Sequence, residues 1–306
     1  MASSIKIEHY GCSAGEKRGN AMLLQKIWAI ITLPLLILSM LTTPVAKDTA
    51  TADLASTHNF VFEKALLMGQ GITTDGEYYY TSGSLAGINL TALAKFTVED
   101  MVMTDSVINP LPKLCSERGN NHIGGISYYD GKIYAPVEGG DVCYACIVVF
   151  DCETLEATGE VYDLPNELYG DGVPWCAVDG ETGYLYASKW NDIETIYVYD
   201  TANEMKLVRE IDLKGMEKIS RIQGGEFYNG TLYLSEDIHD NGTIKNILAV
   251  NPETGMVTLA AERDVGGDNI EAEGMTFLPC DDGSVMHVLD YNKLIGITVR
   301  HYKVDF

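Results

Sequence analysis

The stretch QGITTDGEYYYTS, residues 70–82, decides the fold, because its pattern returns four more times along the chain. The other copies are HIGGISYYDGKIYAP from His122, PWCAVDGETGYLYAS from Pro174, QGGEFYNGTLYLS from Gln223 and EAEGMTFLPCDDGSVMHVLD from Glu271. Each joins a half-apolar strand to an aromatic-rich strand through a turn, most often Asp-Gly or Asn-Gly. Those dipeptides accept the positive φ angles of tight hairpins, and the flanking Tyr, Val, Ile and Thr suit pleated surfaces. Aligned on Ile72, Ile126, Ala177, Glu226 and Met275, the copies are 54, 51, 49 and 49 residues apart. A period near 50 built on hairpins is the signature of propeller blades.

Working outward, each of the first four copies is followed by two more strand patterns, as in LAKFTVE and MVMTDSVI after the first. The fifth offers SVMHVLDY and IGITVRHYKV and then stops at Phe306, one strand short. Residues 58–68 hold an unpartnered strand pattern that can supply the missing strand and remove two open sheet edges. The expectation is an all-β, five-bladed β-propeller over residues 58–306, closed by an N-terminal strand. The alternative is a six-bladed ring with extra strands hidden in 98–121.

Composition narrows the partners. Lys and Arg number 21 against 44 Asp and Glu, for a net charge of −23. Such a surface repels nucleic-acid phosphates and anionic headgroups, so a small-molecule or peptide ligand is expected of a monomer, with no nucleic acid.

Residues 27–46, IWAIITLPLLILSMLTTPVA, are the one long uncharged apolar run, preceded by Lys26. The positive flank predicts residues 1–46 as a cytoplasmic n-region with a signal peptide or signal-anchor helix, 47–57 as linker, and the propeller outside the cytoplasm. Pro44 stands at −3 for a cut after Ala46, and 20 residues suffice to span a bilayer, so cleavage and retention both stay open.

In an oxidising compartment the six cysteines after the leader (Cys115, Cys143, Cys146, Cys152, Cys176, Cys280) are expected as disulfides of unreadable connectivity. The CYAC at Cys143–Cys146 lacks the second CxxC of a zinc ribbon. Asn89, Asn229 and Asn241 head N-x-Thr sequons, which predict a glycoprotein in a glycosylating host.

In a propeller the innermost strand of each blade lines the central channel, so the residues leading those strands become neighbours. They are Gln70, His122, Trp175, Gln223 and Glu271, with Glu273 beside the last. Gln70, Gln223 and Glu271 are candidate ligand-binding residues, and Trp175 offers a stacking face. His122, Glu226 and Glu273 are the candidate catalytic groups: an imidazole able to act as base and two carboxylates. Strand alternation sends Glu271 and Glu273 to one face, where with Asp268 they form a candidate calcium set. Glu226 stands at a position that the other copies fill with apolar residues, and an isolated buried charge is costly. Residues 47–306 contain no Gly-x-Ser-x-Gly elbow, His-Glu-x-x-His helix or phosphate-binding glycine loop.

GQGITTDGEYYYTSGS with ALAKFT, and IQGGEFYNGTLYLSE, resemble blades of five-bladed glutamine cyclotransferases. EAEGMTFLP resembles blade starts of lactonase and phytase-esterase-like propellers. The first resemblance implies a channel carboxylate, here Glu226 or Glu273, assisting cyclisation of an N-terminal glutamine. The second implies a channel calcium that polarises an ester carbonyl. Both rest on short hairpin phrases, and neither family's full residue set maps onto this chain. The function expected is recognition of a small polar ligand or cation in the channel, with a calcium-dependent lactonase or esterase, or a glutaminyl cyclotransferase, as the alternatives.

Overall fold

The computed structural model describes residues 47–48, 52–60, 65–139, 144–170, 172–238, 243–267, 269–292 and 296–306. Their strands form five antiparallel sheets, each a consecutive run of chain apart from short additions at the N-terminal end. Blade one orders Gly71–Thr74, Tyr78–Leu85, Leu90–Thr97 and Met103–Ile108 from the inside outward. Blade three repeats this with Cys176–Val178, Tyr184–Ala187, Thr195–Asp200 and Lys206–Asp212. Blade two splits its inner strand into His122–Ile123 and Ser127–Tyr129, both paired to Lys132–Glu138. The Asp130-Gly131 and Asn229-Gly230 turns hold φ at 48° and 75°, and at 50° and 74°, the paired left-handed conformation that such dipeptides tolerate.

Five apolar clusters pack the five seams between neighbouring blades. Tyr80 and Leu93 meet Ile126 and Ile133 between blades one and two. Leu289, Ile297 and Val299 meet Ile72 and Ala92 between blades five and one. The ring is therefore complete: the chain is an all-β, five-bladed β-propeller. The 98–121 segment holds the outer strand of blade one and a short helix, Lys113–Glu117, so the six-bladed alternative is excluded.

Several expectations need correction. The N-terminal strand lies at Asp53–Phe60 rather than 58–68, and pairs antiparallel with Gly296–Lys303. Ala65–Met68 is instead a single helical turn, and Lys47–Asp48, within the expected linker, pairs at the edge of blade four. Cys115, Cys146, Cys152, Cys176 and Cys280 are free thiols, so no disulfide joins the described cysteines. No helix among the described residues is long and apolar enough to cross a membrane. The apolar run at 27–46, Cys143, Asn241 and Asp268 lie outside the described residues.

The largest correction concerns the axis. Glycines in four blades bring the inner strands into backbone contact. A Cβ on Gly224 would stand 2.7 Å from Gly274 Cα, and one on Gly274 would stand 2.7 Å from Gly71 Cα. One on Gly125 would meet Gln223 O at 2.6 Å. Gly125 and Trp175 form a parallel bridge, and Gly274 N donates to Gln70 O at 2.8 Å. Side chains at this level would hold the strands apart; glycine lets them meet. The inner strands close on the axis here instead of lining an open pore.

This closure resets the register between blades. Counting two residues on from Gly71, Gly125, Trp175, Gly224 and Gly274 gives Thr73, Ser127, Ala177, Glu226 and Thr276. Their cross-strand partners are Tyr80, Tyr134, Tyr186, Tyr233 and His287. Glu226 is thus the counterpart of Thr73 and Thr276, not of Ile72 and Met275.

Candidate functional site

The glycine closure separates the candidate residues into two groups. Gln70, His122, Gln223, Glu271 and Glu273 precede it on their strands and lie at the mouth, the end where the inner strands begin. Glu226 follows it by two residues, roughly 7 Å along an extended strand. The expected catalytic trio of His122, Glu226 and Glu273 is therefore not assembled.

At the mouth, His122 and Glu138 are directly opposed across an antiparallel pair, which puts their side chains side by side. His122 Nδ1 lies 3.3 Å from Glu138 Oε1, off the hydrogen-bond direction. Its Nε2 lies 2.7 Å from Gln70 Oε1, reaching from blade two to blade one. The other Glu138 oxygen accepts a short hydrogen bond from Val173 N. The carboxylate fills the space over Gly172, whose φ of 109° and whose missing Cβ the arrangement requires. Glu138 is consequently fixed from both sides, and His122 is held between a carboxylate and an amide.

The rest of the mouth is charged. Arg221 Nη2 donates to Asp237 Oδ2 at 2.7 Å and lies 3.9 Å from Glu271 Oε1. Lys245 Nζ donates to Asp237 Oδ1 at 2.5 Å, and Ala272 N adds 3.1 Å. Burial works against an ionised Asp237, but the Arg221 and Lys245 hydrogen bonds outweigh it and hold the carboxyl below its usual range. This knot ties blade four to blade five.

A bulge between Ala272 and Met275 interrupts the alternation that would pair Glu271 with Glu273. Glu273 is buried, whereas Glu271 keeps 18% side-chain exposure. Among the described residues no three acidic, histidine or cysteine side chains converge as metal ligands would, and Asp268, the third member of the expected calcium set, lies outside them. Gln223 is half-buried immediately before Gly224. Trp175 is fully buried, its indole against Gly225 and its Nε1 donating to Ser188 Oγ at 3.1 Å, so it packs the core rather than offering a stacking face.

Past the closure, Glu226 Oε2 accepts from Thr73 Oγ1 at 3.2 Å and Oε1 from Phe227 N at 3.0 Å. The residue is half-buried, and desolvation of its carboxyl raises it to about 8, against smaller lowering by those hydrogen bonds. At neutral pH this is largely a protonated acid linking blade four to blade one.

Sequence reasoning undervalued Glu138, Arg221 and Lys245. The signal for Glu138 was its place opposite His122 in the blade-two hairpin, where antiparallel register makes the two neighbours. Arg221 directly precedes the fourth inner strand, a basic residue in a strongly acidic chain.

The sequence matches no protein-family profile and no curated protein. Solved structures share the fold. The RS223 β-xylosidase superposes with a TM-score of 0.58 at 11% identity, covering 80% of this chain and 94% of that one. A mutant of the GH43 protein BlXynB from Bacillus licheniformis gives 0.51 at 12% identity, covering 85% and 57%. The major Malassezia sympodialis allergen Mala s 1 gives 0.51 at 8% identity, covering 76% and 77%. Identities this low carry the architecture alone.

Proposed function

We propose that this propeller binds a small polar ligand at its mouth through Gln70, His122 and Gln223, with Glu138 setting the imidazole. The observation that supports it is the Gln70–His122–Glu138 line: three half-buried polar side chains from two blades, meeting where the inner strands begin. A ligand hydroxyl or amide replaces the Gln70 contact on His122 Nε2. The same reading takes the protein as an exported or membrane-tethered monomer, residues 1–46 as its export or anchor segment, and the Asp53–Phe60 strand as the clasp joining the two ends of the propeller chain.

A second reading, hydrolysis, is favoured by the carboxylate beside Nδ1. When water displaces the Gln70 amide oxygen and the ring takes the tautomer with Nδ1–H toward Glu138, Nε2 can take a proton from that water. The hydroxyl oxygen then adds to a lactone or ester carbonyl, the ring or ester C–O bond breaks, and the departing alkoxide takes the proton back from the imidazolium.

The test is thermal unfolding of the full chain with D-glucose, L-glutamine, glutaminyl-glycine or δ-valerolactone, alongside product analysis. Selective binding to the native state raises the melting temperature. Stabilisation by at least one compound, lost in Gln70→Ala and His122→Ala, is expected. Turnover of the lactone, or pyroglutamate release from glutaminyl-glycine, would select an enzyme. No stabilisation by any of the four, or stabilisation unchanged in both variants, would overturn the proposal.

A further inference from the structure

Three of the six histidines gather away from the mouth, at the end where the first-to-second-strand turns lie, between blades one and five. His287 and His301 stack with ring centroids 4.0 Å apart, and His58 lies 5.0 Å beyond His301. His287 is fully engaged. Its Nδ1 lies 2.6 Å from Tyr79 Oη, and its Nε2 lies 3.5 Å from Ser284 Oγ and 3.8 Å from Cys280 Sγ. His301 is not: only 5% exposed, it keeps a buried Nε2 with no hydrogen-bond partner. An unsatisfied buried polar atom is costly and calls for an explanation.

A cleft of about 850 Å³ lies against this atom's ring. His58 and His301 line it together with Glu77, Glu99, Asp281 and Asp282, and none of the described residues lining it is Lys or Arg. Burial lowers His301 to about 4, so its ring is neutral at pH 7 and Nε2 can accept a hydrogen bond; burial also lowers His58. The fitting ligand is therefore a cation that carries N–H. The described residues offer no converging metal-ligand set. A guanidinium would seek a two-pronged acceptor, whereas a single nitrogen lone pair suits a point donor.

We propose that this cleft binds a primary ammonium group on a flexible aliphatic chain, one N–H donating to His301 Nε2 while Glu77, Glu99, Asp281 and Asp282 supply the opposing charge. The site is separate from the mouth and does not depend on the function proposed there.

Calorimetric titration of the full chain with 1,4-diaminobutane tests it, with 1,4-butanediol as the uncharged control. Saturable one-to-one binding of the diamine and none of the diol is expected. His301→Phe, and separately the double variant Glu99→Gln with Asp281→Asn, should each weaken binding by about tenfold or more. Should His301→Phe fail to fold, the double variant at the exposed rim decides alone. No saturable diamine binding up to about 10 mM, equal binding of the diol, or unchanged affinity in the folded variants would overturn the assignment.

Discussion

His122 and Glu138 face each other across one rung of the blade-two sheet, and the same carboxylate reaches on to Val173 at the approach to blade three. One acidic side chain thus couples the imidazole to the neighbouring blade. Glu138→Ala leaves the Val173 N–H without its acceptor, and an unmet buried donor costs about 1–3 kcal/mol. Glu138→Gln retains an acceptor oxygen and should recover most of that loss. Urea unfolding of the two variants against wild type measures the difference; equal stability of all three would contradict the coupling.

The glycine closure carries its own prediction. A Cβ at position 224 meets backbone at 2.7 Å and 3.0 Å, where no flexible side chain can give way. Gly224→Ala should therefore cost about 2–4 kcal/mol. Gly180→Ala, with nothing within 4 Å of its new methyl, should stay within about 0.5 kcal/mol of wild type. Denaturant midpoints decide it, and a neutral Gly224→Ala would mean the strands do not close.

Glu226 gives a pH dependence of definite sign. Its carboxyl rises from 4.5 to about 8 in the folded state. Between those values the folded protein holds more protons than the unfolded chain, so this group's contribution falls as pH rises across that window. The slope is at most about 1.4 kcal/mol per pH unit. Glu226→Gln should remove it, making the variant gain on wild type from pH 5 to pH 8. Parallel stability curves for the two proteins would refute the burial of an acid at this position.

These two positions mark what the sequence disclosed and what it withheld. Blade count was readable because hairpin turns are local: Asp130-Gly131 or Asn229-Gly230 encodes its conformation in two residues. Register between blades was not, because it is set by where backbones touch. Aligning the copies on Ile72, Ile126, Ala177, Glu226 and Met275 matched apolar positions in three blades and slipped blades three and four by one residue. Glycines at 71, 125, 224 and 274 were the better markers, since contact at the axis demands them. Likewise, alternation put Glu271 and Glu273 together, and only the bulge separates them. His287 and His301 face each other across one hairpin, but His58 joins them from more than 200 positions away, with no local pattern to announce it.

Asp290 is the buried hub between two arginines. Arg263 donates to its two oxygens at 3.1 Å each, Arg300 makes a shorter contact, and both arginines are fully buried. Asp290→Asn keeps the shape but leaves two interior positive charges uncompensated, which should cost about 3–5 kcal/mol. A loss under about 1 kcal/mol in equilibrium unfolding would show that water reaches the pair.

The mouth site is tested most directly by nuclear magnetic resonance of the full chain with its histidine ring nitrogens labelled. Titrated with the compound that stabilises the protein, the His122 Nε2 signal should shift as the ligand replaces Gln70, while those of His287 and His301 stay in place. An unmoved His122 signal at saturating ligand would contradict the account.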